Sequence, residues 1–449
     1  MIPNESFART LTRLAVPAAL QSMLQSSFSI VDQLMIGQLG EVSIAGVGFA
    51  GKFASIFTVL ATAIGAAASI LLAQYMGQGN RREVRRSFYR SLLPMAGLAA
   101  AFTALSLCCP QGLMRLYTKD AATLREAADY LRILALTYLP LAGATMLSAL
   151  LRCAELPRLP LYATIASALL NTGLNAVLIF GLCGFAPMGA RGAAIATAAA
   201  QWVNLLLMLA LTPRGLLAAD AADRRPLPPF DRRGYLAMLL PLLLCETLWS
   251  LGENVYTAIY GNMGTDAGAA MMLINPVQGI VIGALGGIAQ AAGVMVGKRL
   301  GVKAYDEAYS TAKKLLVCGA AGAAALSLLV VLTAPLYVEL YSVDAGVKLL
   351  TRYILYAYAL VAPFKVLNMI LGNGILRSGG RTKYLLFIDA LGTWGFGVPL
   401  GLLSAFVWKL TIPGVYFLLS LEECVRFAVS LAVFRRRVWI HSVDTAAEP

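Results

Sequence analysis

Long apolar runs separated by short charged breaks dominate this 449-residue chain and leave it few ways to fold. A helix that crosses a bilayer needs about 20 apolar residues. Twelve such stretches can be marked, at 11–37, 46–75, 88–109, 128–151, 160–182, 190–212, 235–260, 267–297, 313–338, 351–376, 384–408 and 411–434. They use up most of the chain and leave little room for a soluble domain. In hydrocarbon every backbone N–H and C=O must find its partner within the protein, and a helix does this within one segment. The expected fold class is therefore an all-α polytopic membrane protein with twelve transmembrane helices. Composition agrees, since only 13% of the residues are charged where a soluble domain has about 25%. An ordinary soluble enzyme is excluded.

The formal net charge of +13 would raise nucleic acid as a partner for a soluble protein. Here its position along the chain gives another meaning. Basic clusters recur at every second loop: Arg81, Arg82, Arg85, Arg86 and Arg90, then Arg214, Arg224, Arg225, Arg232 and Arg233, then Lys298, Arg299, Lys303, Lys313 and Lys314. By the positive-inside rule these loops are cytoplasmic, and an even helix count puts both termini on the cytoplasmic side of the plasma membrane. The excess charge sets topology, and no nucleic acid is expected. No cleavable signal peptide is apparent, because no small-residue cleavage pattern follows the first long apolar stretch.

An internal repeat divides the chain. Pro17 pairs with Pro241, Gly37 and Gly40 with Gly261 and Gly264, and Gly77 with Gly301, all 224 residues apart. At the same spacing Leu116-Tyr117-x-x-Asp120-Ala121 matches Leu340-Tyr341-x-x-Asp344-Ala345. Pro140 and Pro363 are 223 apart, and Arg152 and Arg377 are 225 apart. Six helices per repeat make the two halves parallel, an arrangement that in transporters places the substrate site between them. The expected organisation is an amino-terminal lobe at 1–212, a cytoplasmic linker at 213–234 containing Pro226, Pro228 and Pro229, a carboxy-terminal lobe at 235–434 and a polar tail at 435–449.

Ionised groups within the helices are the candidates for chemistry, since each costs about 2.5–3.5 kcal/mol at mid-bilayer unless it has a partner, water or a task. Three basic groups, Lys52, Lys365 and Arg426, face six acidic ones, Asp32, Glu246, Glu253, Asp389, Glu422 and Glu423. That deficit suggests a positively charged substrate. In the first helix Gln21, Gln25, Ser29 and Asp32 form one polar stripe at spacings of 4, 4 and 3, which must face a lobe interior or a central cleft. The fifth helix adds Asn171 and Asn175 on one face, and the sixth adds Thr197. Counted from the outer helix ends, Asp32 lies about 8 Å deep, with Asn175 and Thr197 at about 10 Å. One carboxylate with amide and hydroxyl oxygens suits a monovalent cation, and the same carboxylate can instead take a proton. Interhelical hydrogen bonding is the plainer role for the asparagines and the threonine.

The seventh helix carries Glu246, Ser250, Glu253 and Thr257 on one face with Trp249 beside them, a set suited to an organic cation through charge pairing and cation–π contact. Alternatively the two acids are neutralised by Lys365 of the tenth helix, which is either a displaceable counter-ion or a static partner. Glu422 and Arg426, at i and i+4, are expected to pair with each other. Seven scattered cysteines without CxxC spacing argue against a disulfide scaffold or a zinc site, and the only histidine, His441, lies in the tail. GxxxxGK[ST], HExxH and GxSxG are absent. Neither an enzyme nor a bound cofactor is expected, only a coupling ion, Na⁺ or H⁺.

With these residues in view the chain resembles the multidrug and toxic compound extrusion (MATE) transporters over nearly its whole length. The likeness is carried by PAALQSMLQSSFSIVDQLMIGQLG from Pro17 to Gly40, LLRCAELPRLP from Leu150, NTGLN at 171–175 and PMGARGAAIAT from Pro187 to Thr197. The second half adds CETLWSLGENVY from Cys245, GILRSGGRTK from Gly374, then Asp389, Trp394 and the VPL around Pro399. The resemblance implies two six-helix lobes in a V-shaped arrangement, exporting cationic or amphipathic compounds against inward flow of Na⁺ or H⁺. It implies that Asp32 matches the family's first-helix acid and that Asn171, Asn175 and Thr197 match its amino-terminal cation site. Some members have an aspartate where Asn175 stands, so Asp32 is left as the principal titrating group. Others have an acid on the tenth helix, where this chain has Lys365 and Val366. The implied substrate cleft includes Gln25, Ser29, Glu246, Trp249, Glu253 and Lys365. The expected partners are small cationic organic molecules and the lipid bilayer, with no obligate protein partner. The alternative is a lipid-linked sugar flippase of the same superfamily, which calls for a more cationic cleft.

Overall fold

Eleven of the expected stretches form continuous helices long and apolar enough to cross a membrane in a computed structural model, which describes residues 6–218, 231–341 and 343–443. They are α1 (Phe7–Ile36), α2 (Glu41–Gly77), α3 (Arg81–Cys108), α4 (Ala121–Cys153), α5 (Arg158–Phe180), α6 (Gly189–Leu211), α7 (Arg232–Gly261), α8 (Thr265–Gly301), α9 (Tyr305–Glu339), α10 (Ala345–Leu376) and α11 (Lys383–Val407). The expected twelfth helix is broken at Leu421 into α12 (Ile412–Ser420) and α13 (Glu422–Arg435). The break places the adjacent carboxylates of Glu422 and Glu423 in the first turn of α13, where unpaired N–H groups carry partial positive charge. No β-strand occurs among the described residues. Part of the expected linker, including Arg224, Arg225, Pro226, Pro228 and Pro229, and positions 444–449 of the expected tail lie outside the described residues.

The chain forms two compact units. One, the amino-terminal unit, comprises Leu20–Leu72 and Asn80–Pro226. The other, the carboxy-terminal unit, comprises Leu227–Pro449 together with Met1–Ala19 and Ala73–Gly79. The start of α1 and the end of α2 are therefore built into the second half of the sequence. Close packing explains why. A Cβ at Gly287 of α8 would overlap the backbone oxygen of Ala15 in α1. Likewise Gly77 of α2 lies against the carbonyl of Lys298, and Gly301 of α8 against that of Gln74. Gln74 and Lys298, like Gly77 and Gly301, are 224 residues apart, so the repeat supplies both halves of this crossing. It supplies helix starts as well. Asp120 precedes α4 and accepts the N–H of Thr123 at 2.8 Å, which holds its carboxyl below the usual range, and Asp344 precedes α10 in the same way without that bond.

Inside the amino-terminal unit, small and aromatic side chains close the core. Ala127, Ala128 and Leu131 of α4 pack with Ala190, Ala193 and Ala194 of α6, and Phe57, Phe102 and Tyr138 form a ring cluster. Residues with so little volume let helix backbones approach closely. In the carboxy-terminal unit two helices depart from regular α geometry. α10 opens into π-type turns at Met369–Leu376, and α11 does so at Ala390–Gly397 and Leu403–Val407. Such wide turns are rare and concentrate at functional sites.

The expected polar tail begins as packed structure. Trp439 is 1% exposed, donates its indole N–H to the Phe434 carbonyl at 3.2 Å and stacks on the Phe434 ring, which stacks in turn on Tyr309 of α9. Gln74 of α2 accepts the N–H of Val443 at 2.6 Å and donates to the carbonyl of Ser378 at 2.7 Å. A short strap, 436–443, thus joins the end of α2 to the α10–α11 turn.

The glycine crossing generates a stability prediction. Gly77→Ala and Gly301→Ala should each lower the thermal unfolding midpoint of the detergent-purified protein, by several degrees if the strain is about 2 kcal/mol. Gly97→Ala, where a Cβ meets nothing within 4 Å, should be neutral or slightly stabilising. A midpoint unchanged in all three variants would contradict the packing described.

Candidate functional sites

The amino-terminal unit brings together four of the residues singled out by the sequence. α5 and α6 run side by side, fixed where Met188 N–H donates to the Leu178 carbonyl at 2.8 Å and where Gly192 leaves room for that same carbonyl. Their inner faces then meet α1. The amide of Asn175 donates to Asp32 Oδ1 at 2.5 Å and to Asn171 Oδ1 at 3.3 Å, and Asn171 donates to Thr197 Oγ1 at 3.4 Å. A continuous polar chain runs from the carboxylate to the hydroxyl across three helices. Asn175 is fully buried, yet its Oδ1 has no hydrogen-bond partner. Asp32 has no basic partner among the described residues, and the Asn175 amide is the group that holds its carboxyl.

This oxygen-rich set fits a monovalent cation, because the unpartnered Asn175 oxygen, the Asn171 oxygen, the Thr197 hydroxyl and the Asp32 carboxylate are all donor atoms for a hard ion. The rest of the α1 stripe is divided. Gln21 is buried and donates to Thr164 at 3.0 Å, whereas Gln25 and Ser29 are exposed and bind nothing within α5 or α6.

In the carboxy-terminal unit a cavity of about 250 Å³ opens among α7, α8, α10, α11 and α13. Its charged lining residues are Glu246, Lys365, Arg377, Asp389, Glu423 and Arg426, with Trp249 also on the wall. The pairing differs from both expectations. Glu246 is held by Arg377 at 2.9 Å, not by Lys365. Arg377 follows directly on the last residue of α10, and its guanidinium turns back along the helix, donating also to Asn373 Oδ1 at 3.2 Å. Arg426 pairs with Asp389 of α11 and lies 3.9 Å from Glu423, leaving Glu422 to accept a hydrogen bond from Tyr256 of α7. Gly392 and Gly397 of α11 make this possible, since a Cβ at the first would overlap the Arg426 side chain and one at the second would overlap Tyr256 and Glu422.

Other contacts complete the network. Cys245 donates to the second oxygen of Asp389, and Asn368 donates to Glu423 at 2.8 Å. Glu253 does not line this cavity and makes no ion pair among the described residues. Lys365 has neither an ion pair nor a hydrogen bond there. Three carboxylates and three cations line the wall, so the acidic excess expected from the helices is absent from this cavity.

These features define a multi-pass membrane transporter, and the comparisons identify its family. The MatE family model matches residues 17–177 and 241–403, one match in each repeat, and the chain belongs to that family. Curated relatives include the uncharacterized transporter YisQ of Bacillus subtilis, 22% identical over 96% of this chain and 95% of its own length. The probable multidrug resistance protein NorM of Bradyrhizobium diazoefficiens is 28% identical over 96% and 93%. Among solved structures, a MOP superfamily transporter from Pyrococcus furiosus, described as having reverse polarity of its binding pocket, superposes with a TM-score of 0.86 at 18% identity, covering 96% of both chains. An outward-facing multidrug resistance MATE family transporter gives 0.86 at 19%. At such identities the structures show the fold, and the family shows that small molecules and a membrane are its partners.

The ion pairs should behave as units. Glu246→Gln alone strands a cation whose side chain is only 12% exposed and should destabilise the purified protein, by about 3 kcal/mol if fully uncompensated. Adding Arg377→Gln should restore much of that loss, giving a large coupling in a double-mutant cycle of unfolding midpoints. Additive effects would contradict the pairing.

Proposed function

We propose that this protein is a secondary active efflux transporter of the plasma membrane, with both termini cytoplasmic, that exports cationic or amphipathic organic compounds in exchange for Na⁺ or H⁺ by alternating access. The observation that carries this reading is the Asp32 site. A carboxylate inside a membrane helix with an amide as its partner, and no cation, is poised to take a positive charge from solution. Na⁺ would use the carboxylate with the oxygens of Asn171, Asn175 and Thr197. A proton would need the carboxylate alone.

Coupling requires the two conformations to bind the ion with different affinity. Loading neutralises Asp32 and removes the charge assistance from the Asn175 bond, so the bridge between α1 and α5 weakens or is rebuilt around the ion. Unloading restores the charged, amide-held state. α1 therefore carries the change, and the start of this helix belongs to the other compact unit. A lipid-linked sugar flippase would need uncompensated positive charge for a pyrophosphate. The guanidinium groups of Arg377 and Arg426 are already committed to carboxylates, which favours the efflux reading.

The reading is tested in proteoliposomes loaded with a cationic dye, under a Na⁺ gradient and separately under a pH gradient. One of the two gradients should drive efflux, and Asp32→Asn should reduce the driven component by at least about tenfold, because a ligand without differential affinity shifts no equilibrium. Driven efflux at the wild-type rate in Asp32→Asn would remove Asp32 from the mechanism.

A further inference from the structure

α2 passes from one compact unit into the other. Residues 41–72 of this helix lie in the amino-terminal unit, and its end falls in Ala73–Gly79, part of the carboxy-terminal unit. α1 also crosses, but Pro17 stands just before the limit at Ala19 and gives that helix a place to bend. α2 has no such place, since neither proline nor glycine occurs between Gly65 and Gly77. A movement of one unit against the other must therefore withdraw the end of α2 from its seat. The strap at 436–443 closes that seat. Gln74 is fully buried, donates to the Ser378 carbonyl at 2.7 Å and accepts the Val443 N–H at 2.6 Å, while Gln78 donates to the Val443 carbonyl at 3.5 Å. The strap is itself fastened. Arg437 pairs with Asp306 of α9 at 3.0 Å and lies over the Tyr309 ring, Arg381 donates to the Val438 carbonyl at 3.3 Å, and Gly379 leaves room for the carbonyl of Trp439. We propose that the strap is a latch, which holds the end of α2 in the carboxy-terminal unit and whose release is a step of the transport cycle. The proposal rests on the alternating access of the efflux reading and adds a moving part to it.

The repeat separates what the fold requires from what a latch requires. At the 224-residue spacing the strap corresponds to the segment that begins at Thr212, and that segment also leaves the last helix of its half and lies on the third. There Arg85 of α3 donates to the Ala218 carbonyl, and Tyr89 donates to the Leu217 carbonyl at 3.3 Å. Arg85 corresponds to Tyr309, the ring that Arg437 covers. Both segments thus dock on equivalent helices, which answers to the fold. The carboxy-terminal one then goes on through Ser442 and Val443 to Gln74, a helix from the first half of the chain. The chemistry of that last contact suits reversible closure. Gln74 is neutral and binds backbone groups only, so its withdrawal strands no charge, and each neutral bond changes a population by only about fivefold. Such a contact biases an equilibrium and still opens.

The test ties the latch shut and reads transport. In the double variant Gln78→Cys/Val443→Cys a short bifunctional methanethiosulfonate joins the strap to α2, and rates are compared with the two single-cysteine variants treated alike. Gradient-driven dye efflux from proteoliposomes should fall at least about tenfold on cross-linking and return on reduction, because a conformation that is never visited carries no substrate. A second readout needs no gradient. Hydrogen–deuterium exchange at 298–303, where α8 ends against α2, should quicken about fivefold in Gln74→Leu, the shift expected for one lost hydrogen bond, and should slow below the wild-type rate in the cross-linked protein. Undiminished efflux from fully cross-linked protein would overturn the proposal and leave the strap as a fixed brace. So would exchange at 298–303 that neither change alters. Exchange that responds to both changes in a protein that no gradient drives would support the latch and count against the efflux reading, so the two failures are separable.

Discussion

A charge taken into hydrocarbon must be compensated, and much of what is irregular in this protein follows from how that is done. The carboxy-terminal unit compensates by direct pairing across helices. Arg377 turns back to Glu246, and Arg426 reaches Asp389 through the gap left by Gly392. The price is regularity: α10 and α11 open into π-type turns near these residues, and the last span breaks at Leu421. The break serves the same end, since it turns two consecutive carboxylates into first-turn residues of a helix. The amino-terminal unit sets no cation against Asp32 among the described residues. There an amide holds the carboxylate, through helices that remain regular.

The two units come from one repeat, yet the repeat was kept unevenly. It persists where backbones touch or helices begin, at Gly77 and Gly301 and at Asp120 and Asp344. These positions answer to geometry that any copy of the fold must satisfy. It has faded in the polar clusters, one half having an asparagine–threonine chain and the other a network of carboxylates and guanidinium groups. Within one chain the halves match where backbones meet and differ where polar side chains cluster.

The sequence was most readable where a single helix carried the information. Spacings of three and four residues, with depths counted from helix ends, brought Asp32, Asn171, Asn175 and Thr197 together, and the structure joins them in one hydrogen-bonded chain. It was least readable where helices compete for one partner. Arg426 at i+4 from Glu422 looked like a local pair, but Asp389 on another helix takes it, a choice that no local spacing encodes. Arg377 escaped notice as a cavity residue because it stands just past the apolar run, and nothing in the spacing shows that its side chain turns back to Glu246. The strap at 436–443 was hidden by its polar composition, with Trp439 as the one signal that it is packed.

That strap bears on the order in which the molecule can be made. The bond between Gln74 and the Val443 N–H spans 369 residues, and the same glutamine also holds Ser378. α2 emerges early in synthesis, while the partners that fix its far end are among the last described residues to arrive. The carboxy-terminal unit therefore combines a segment from early in the chain with one from its end, and closing the contact between them spans most of the sequence. Until those partners are present, the side chain of Gln74 lacks the two backbone groups that satisfy it in the finished fold.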